Sequence, residues 1–245
     1  MCRTPDRVRP EPRGIVAALL LAALLASACQ RTAPGPRDGL RFPAPDRPVA
    51  TIVSPSYADE ASRDARGEAE RVMDQLNIAP GVRVADIGAG EGYYAVRLAA
   101  RLGSSSTIYA TDVEAKFLKR LEARLKREAI RGVTLVLGAS GDPRLPTASI
   151  DVAILAHMYH EIASPYEFMY RLRAALAPSA RVGIVEVDKP TQDHGTPPAL
   201  LQCELAAVGY RLVTLTSLAP ADGYLAIFVP PDTLPEPDSI RPCRP

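Results

Sequence analysis

A mainly apolar run that leads into three closely spaced glycines is the feature that most restricts the fold of this chain. Residues 82–87 predict a buried strand, Gly88, Gly90 and Gly92 follow, and helical periodicity continues over residues 92–102. Glycine lets the backbone turn tightly and approach a ligand, and the first turn of the following helix presents unpaired N–H groups. The pattern therefore predicts a strand–turn–helix unit with a ligand site at the turn.

The same alternation of strand and helix continues along the chain. Apolar runs predict further strands at residues 107–110, 133–137, 152–156, 182–187, 211–215 and 224–229. Helical periodicity predicts further helices at residues 59–76, 115–129, 165–177 and 198–208. Alternating elements with near-continuous apolar strands are typical of an α/β fold, in which helices cover both faces of a parallel sheet.

Proline placement predicts the domain limits. Of the 24 prolines in 245 residues, nine lie in residues 1–55 and six in residues 230–245. We therefore expect one domain at residues 57–229, a Pro-rich, solvated linker at residues 29–56 and a Pro-rich tail at residues 230–245. The net charge of +1 does not favour a nucleic-acid partner, and we expect none.

Residues 1–28 have the pattern of an export signal. Arginines precede an uncharged, Ala- and Leu-rich stretch that is short for a bilayer span. Small residues then lead to Cys29 and resemble the lipobox of bacterial lipoproteins, although Ala26 stands where leucine is usual. We expect a lipidated Cys29 as the mature N-terminus, anchored in the envelope membrane and facing the periplasm.

Three alternatives to this processing and cellular location remain open. Cleavage after Ala28 would release a soluble form, the segment could stay as an uncleaved anchor, or the start codon could be misassigned. A shorter start, for example at Val49 or Val53, would leave the protein in the cytoplasm. Cys203 and Cys243 would remain after processing; an oxidising compartment would permit a disulfide between them, but the sequence does not give their distance.

Two acids follow the first two predicted strands. Asp86 lies directly before the glycines, which disfavours an anionic pyrophosphate and favours a cationic ligand that carries an amino group. Asp112 follows the second strand, where a carboxylate can accept hydrogen bonds from both hydroxyl groups of a ribose. Asp112 could instead cap the helix that begins near Glu114.

These segments together resemble the class I S-adenosylmethionine-dependent methyltransferases. VADIGAGEG resembles the family's first motif, Asp112 the acid after its second strand, SIDVAIL at residues 149–155 its fourth motif, and residues 174–182 the turn before its fifth strand. The resemblance covers about residues 63–229, and within the family it is strongest to a bacterial group of methyltransferases that often carry export signals. It implies a Rossmann-like, doubly wound sheet of seven strands, mostly parallel with an antiparallel last strand.

The resemblance also implies S-adenosylmethionine as cofactor and a set of residues that bind it. The turn residues would surround the methionine part, Asp112 the ribose and Val113 the adenine. In the loop after the third strand, the family usually has an Asp near the adenine amino group. Ser140 stands in that loop here, so the acid is missing unless Asp142 replaces it. The complete cofactor set is Asp86, Gly88, Ala89, Gly90, Gly92, Asp112, Val113, Ser140 and Ala156.

The segment His157–Glu161, after the fourth predicted strand, supplies the candidate catalytic residues. We expect His160 first and His157 second as a general base for the acceptor, with Tyr159 as a substrate contact. Catalysis by proximity alone is the alternative, with His157 capping the strand and Tyr159 in the core. Contiguous residues rarely converge on a metal, so we expect no metal site here. His194, after the fifth strand, could contact the acceptor or lie in a solvated loop.

These observations favour a methyltransferase that acts on a small molecule or an exposed protein group. S-adenosylmethionine is made in the cytosol, whereas an export signal would take the protein out of it. The export signal and the cofactor pocket therefore indicate different compartments. A non-catalytic envelope lipoprotein that retains the fold is therefore the main alternative. An NAD-dependent oxidoreductase shares the strand–Gly–helix unit, but it would carry G-x-G-x-x-G without the preceding acid.

Overall fold

A computed structural model describes residues 39–52 and 60–244, and a single compact unit begins at Arg41. The expected signal peptide, Cys29 and half of the expected linker lie outside the described residues. Within the described ranges, no helix combines the length and the apolar character that a membrane span requires.

Seven strands and six α-helices alternate along the described chain. The strands are β1 Arg83–Ile87, β2 Thr107–Asp112, β3 Val133–Leu137, β4 Ile150–Ala156, β5 Leu176–Glu186, β6 Arg211–Ser217 and β7 Tyr224–Val229. The helices are α1 Glu60–Ala65, α2 Glu68–Gln75, α3 Tyr93–Leu102, α4 Ala115–Arg127, α5 Pro165–Ala175 and α6 Pro198–Ala207.

The strands form one sheet in the order β3-β2-β1-β4-β5-β7-β6. The first five pair in parallel, whereas β7 runs antiparallel to both β5 and β6. The predicted α/β, Rossmann-like, seven-stranded sheet with an antiparallel last strand is confirmed. The chain order reverses direction at β1 and β4, so the carboxyl ends of these strands flank the crevice where such sheets bind ligands.

Strand alternation sends side chains into two separate cores. Val84 and Val152 pack on one face of the sheet with α2 and α3. Ala85 and Leu155 pack on the other face with α5 and α6. Because both faces are buried, the central strands are apolar at almost every position, as the sequence indicated.

Two predicted elements differ from those in the structure. The helix expected at residues 59–76 is divided into α1 and α2 at Gly67, whose φ of 67° lies in the left-handed region. The helix expected to run to residue 177 ends at Ala175, and Leu176 already belongs to β5. Pro178 explains the early end, because proline disfavours helical backbone in the residue before it.

The segment 41–52, expected to be part of a solvated linker, packs on the domain. Nε of Arg47 lies 2.8 Å from Oε1 of Glu204, and both side chains are fully buried. The Ala50 N–H donates to the His160 carbonyl at 3.1 Å, and the Thr191 hydroxyl donates to the Pro48 carbonyl at 2.7 Å. The linker interpretation is therefore wrong for these residues, because long-range contacts tie them to the domain.

The Pro-rich tail is also part of the domain. Cys243 forms a disulfide with Cys203 of α6, and Ile240 is buried. The backbone N–H of Cys243 donates to the Tyr166 hydroxyl at 2.8 Å. The compact unit therefore extends well beyond residue 229, the predicted domain end.

The disulfide should make a large contribution to stability. It closes a loop with a sequence separation of 40 residues, for which the chain-entropy relation gives about 4 kcal/mol. We expect the Cys203→Ser/Cys243→Ser variant to unfold at a clearly lower urea concentration than the oxidised wild type.

The matched control is the effect of a reductant. Dithiothreitol should lower the unfolding midpoint of the wild type and leave that of the double variant unchanged. Equal midpoints for oxidised wild type and double variant would contradict the structure.

Candidate functional site

A cavity of about 330 Å³ opens at the carboxyl ends of β1, β2 and β4. Its volume lies in the range of small-molecule sites. The lining residues that sequence analysis singled out are Gly88, Ala89, Gly90, Asp112, Val113, Ser140, Ala156 and His157. The cavity thus brings together most of the predicted cofactor set.

The glycine turn forms one wall of the cavity and is tied to β2. The N–H groups of Gly88 and Ala89 both donate to the Thr111 carbonyl, at 2.8 and 3.0 Å. Gly90 has a φ of 54°, and a Cβ added there would find no other atom within 4 Å. A side chain at position 90 would therefore project into open space beside the wall and compete with a ligand.

Gly92 has a different role from the one predicted. It does not line the cavity, and a Cβ added there would clash with Cδ1 of Leu121 in α4. Gly92 therefore permits close packing of α4 against the start of α3. Nothing places it at the ligand.

Asp112 presents an oriented carboxylate to the cavity. Its Oδ2 accepts the Gly90 N–H at 2.9 Å, and its Oδ1 accepts the Glu114 N–H at 2.8 Å. Burial raises the pKa of this carboxyl. Each oxygen keeps a further lone pair, so Asp112 can accept hydrogen bonds from a bound ligand as well as hold the turn.

Asp86 lies at the base of the glycine turn, just outside the cavity wall. It is buried, its carboxylate accepts the Ala95 N–H of α3, and its Oδ2 has no hydrogen-bond partner within the described chain. Burial raises the pKa of Asp86 to about 7. A buried oxygen without a donor is costly, so this position suits a ligand that supplies a positive hydrogen-bond donor.

The opposite wall contains the residues expected near an adenine ring. Val113 is 40% exposed, and Ser140 lies on the loop after β3; both line the cavity. Asp142, the possible substitute for the missing acid, does not line it. Its Oδ1 accepts the Arg144 N–H at 2.7 Å, which holds the carboxylate within its own turn.

His157 lines the cavity and belongs to a buried polar cluster that the sequence did not predict. Its Nε2 lies 3.4 Å from Oε1 of Glu68, which also accepts the Tyr94 hydroxyl at 3.0 Å. Glu68 is ion-paired with Arg63 as well. Burial alone would raise the pKa of Glu68, but the hydrogen bonds and charges of His157 and Arg63 lower it to about 2.

The structure does not bring His160 and Tyr159 to the cavity wall. His160 is 1% exposed, with its Nδ1 2.9 Å from Oε2 of Glu186. Tyr159 is equally buried and packs in the core, with the Arg47 guanidinium 5.6 Å from its ring centre. The roles expected for them, general base and substrate contact, are corrected, because both side chains are buried and neither lines the cavity.

Sequence reasoning missed the part of the wall formed by residues distant in the chain. These residues are Ile52, Glu60, Arg63, Phe117 and Phe168. Arg63 is the informative case, since its guanidinium stacks 3.5 Å from the Tyr93 ring centre. No local pattern identifies such a residue, because only the packing of α1 on α3 brings it there.

Comparisons with known proteins agree with this architecture. The sequence pattern of the family described as "Methyltransferase domain" matches residues 84–179, which run from β1 into β5. Among solved structures, an S-adenosylmethionine-dependent methyltransferase from Aquifex aeolicus aligns with a TM-score of 0.65 and 20% identity, over 70% of this chain and 94% of that one. The [4+2]-cyclase SpnF aligns with a TM-score of 0.62 and 14% identity, over 76% and 88%. These structures support the fold.

Curated relatives are similar at the level of sequence. Nocamycin O-methyltransferase from Saccharothrix syringae is 27% identical over 49% of this chain and 42% of its own length. Protein-L-isoaspartate O-methyltransferase from Gloeobacter violaceus is 29% identical over 75% of this chain and 80% of its own. A demethylmenaquinone methyltransferase from Geobacillus kaustophilus is 23% identical, with 52% of its length covered.

The chain spans about half the length of two of these curated relatives, the nocamycin O-methyltransferase and the demethylmenaquinone methyltransferase. With the sheet order and the oriented acid after β2, the match over residues 84–179 supports a class I S-adenosylmethionine-dependent methyltransferase domain, whose cofactor is S-adenosylmethionine.

Proposed function

We propose that this protein transfers the sulfonium methyl group of S-adenosylmethionine to a small molecule or an exposed protein group. The observation that carries the proposal is the Asp112 carboxylate, which two backbone N–H groups orient on the cavity wall beside the open position at Gly90. A ribose needs such an acceptor, and the glycine wall leaves room for the rest of the cofactor.

The residues of the cavity fit the chemical groups of the cofactor. Asp112 would accept hydrogen bonds from the ribose hydroxyls, and Val113 offers an apolar surface to the adenine. The Asp86 carboxylate, with its unpartnered Oδ2, would compensate the ammonium of the methionine part, directly or through water. When bound, the cofactor supplies an electrophilic methyl on a cationic sulfur.

The chain's own contribution to methyl transfer is mainly positioning. A nucleophile held in line with the methyl group needs little further assistance. His157 and Glu161 lie on the wall, where a side chain can take the proton that an O–H or N–H acceptor loses. The curated relatives' names include both O- and C-methyltransferases, so we propose no particular attacking atom.

We also propose export to the bacterial envelope, with lipid attached at Cys29. Two features support this address: the signal-like composition of residues 1–28, and the Cys203–Cys243 disulfide, which is typical of oxidising compartments. The membrane partner would then be the lipid bilayer at the periplasmic face.

Asp112→Asn and Gly90→Val should each weaken cofactor binding. The first removes the charge from hydrogen bonds worth about 1.5–3 kcal/mol, so we expect roughly a tenfold to hundredfold loss of S-adenosylmethionine affinity. The second places a branched side chain beside the wall. Isothermal titration measures both, with Asp142→Asn, an acid on the same sheet edge outside the wall, as the control. Unchanged affinity in both variants would refute the proposed pocket.

Affinity for S-adenosylmethionine should increase with pH in the range governed by Asp86. Its pKa is about 7, and the cofactor's ammonium requires the ionised carboxylate. The ionised fraction increases more than tenfold between pH 5.5 and 7, below the range in which an α-amino group loses its proton. We therefore expect about a tenfold gain in affinity over this interval.

Two controls isolate the Asp86 effect. Asp86→Asn should abolish the pH dependence, and 5′-methylthioadenosine, which lacks the amino acid part, should bind wild type with little pH dependence. A flat profile for S-adenosylmethionine in the wild type would show that its ammonium does not interact with Asp86.

Lipid attachment at Cys29 is tested by metabolic labelling of the full chain with palmitate in a bacterial host. Label should enter the wild type and the Cys2→Ser control, be absent from Cys29→Ser, and decrease when globomycin blocks processing. Equal labelling of Cys29→Ser and wild type would contradict lipidation at that residue.

A further inference from the structure

Three side chains with metal-ligating atoms converge next to the cavity, away from the glycine turn. His160 and Glu161 belong to the short 3-10 helix Tyr159–Glu161 after β4, and His194 follows the 3-10 helix Thr191–Asp193 after β5. One nitrogen or oxygen atom of each lies within 4.8 Å of those of the other two. Donor atoms around a bound Zn²⁺ are roughly 3–4 Å apart, so a small closure would complete a site.

His160 is held in the orientation that a metal ligand needs. Its Nδ1 lies 3.1 and 2.9 Å from the two carboxylate oxygens of Glu186, which is fully buried. With Nδ1 donating to Glu186, Nε2 carries the lone pair, and this atom is 4.0 Å from Oε1 of Glu161. A carboxylate on the far nitrogen of a histidine is the usual support behind a metal ligand.

His194 supplies a second imidazole whose polar atoms the fold does not fully satisfy. Its ring lies 5.4 Å from that of His160. Its Nδ1 is buried and has no hydrogen-bond partner in the part of the chain that the structure describes. Its backbone is left-handed, with φ 57° and ψ 53°, which is uncommon outside glycine. Ligation through Nδ1 would provide the missing partner.

Charge also favours a cation at this cluster. Glu186 and Glu161 place two carboxylates around His160. The Nη1 of Arg47, whose guanidinium is also paired with Glu204 at 2.8 Å, donates to the His160 carbonyl at 3.4 Å. The Glu186 carboxylate also accepts the Tyr159 N–H at 2.9 Å, which holds it beside His160.

We propose that His160, Glu161 and His194 form a binding site for one divalent transition-metal ion. Two imidazoles and one carboxylate are typical of Zn²⁺ sites with an open position and of non-haem Fe²⁺ sites. Mg²⁺ and Ca²⁺ prefer all-oxygen ligands and fit this donor set poorly. Sequence analysis predicted no metal site, because the fold brings His194, 33 positions after Glu161, to the other two residues.

The position of the site indicates a use for the ion. Glu161 belongs both to the cluster and to the cavity wall. An ion there could bind an oxygen atom of the methyl acceptor through an open coordination position. This use rests on the proposed methyltransferase activity, whereas metal binding itself does not.

Metal binding can be measured on the full-length, tag-free chain after its free thiols have been alkylated and its metals removed with a chelator. We expect one equivalent of Zn²⁺ by isothermal titration, and visible absorption bands when Co²⁺ is the probe. His194→Ala should lower Zn²⁺ affinity at least 100-fold, and Glu161→Gln at least tenfold. Glu186→Gln, which removes only the support of His160, should cost 10- to 100-fold.

Two controls test the specificity of these losses. His157→Gln removes the remaining histidine, and Asp193→Asn alters an exposed neighbour of His194; both should leave Zn²⁺ affinity unchanged. His194 and Glu161 are only partly buried, so their variants stay informative even if changes at His160 or Glu186 impair folding, which circular dichroism detects.

Sub-stoichiometric binding by the wild type, or wild-type affinity in both His194→Ala and Glu161→Gln, would overturn the proposal. S-adenosylmethionine binding is measured on the same samples without metal. Loss of metal binding with intact cofactor binding rejects only the metal site, whereas the converse result rejects only the proposed function.

Discussion

The parallel pairing of β1 with both β2 and β4 is the constraint on which the rest of the molecule depends. It aligns Asp86 with Ala110 on one side and with Ile154 on the other, so three strands end at one sheet edge. Loops that are far apart in sequence must then share a small volume. The glycine turn, the oriented Asp112 and the His157–Glu161 segment become neighbours for this reason alone, before any ligand is considered.

Acidic groups at this edge occupy different environments and can therefore have different roles. Burial favours the neutral form of Asp86, whereas the ion pairs and hydrogen bonds around Glu68 keep that residue ionised. Asp112 is intermediate, buried but held by two backbone N–H groups. Binding of a cationic ligand would thus favour the ionised form of Asp86. The neighbouring Asp112 carboxylate is already held in place by its hydrogen bonds.

The sequence predicted the sheet and the glycine wall because their signals are local. A strand, a glycine turn and a helix follow one another within twenty residues, and Asp112 ends the next strand. The contacts of Arg63, His194 and the segment around Arg47 could not be predicted, because their partners lie far along the chain. His160 and Tyr159 were assigned wrongly, since periodicity does not reveal whether a residue after a strand faces the crevice or the core.

The buried pair of Arg47 and Glu204 has a consequence for the gene as well as for the fold. A polypeptide initiated at Val49 or Val53 would lack Arg47, and the Glu204 carboxylate would stay enclosed without its counter-ion. Removal of one member of such a pair typically costs 3–5 kcal/mol, a large part of the stability of an ordinary domain. Translation from either downstream codon would therefore yield a weakened domain.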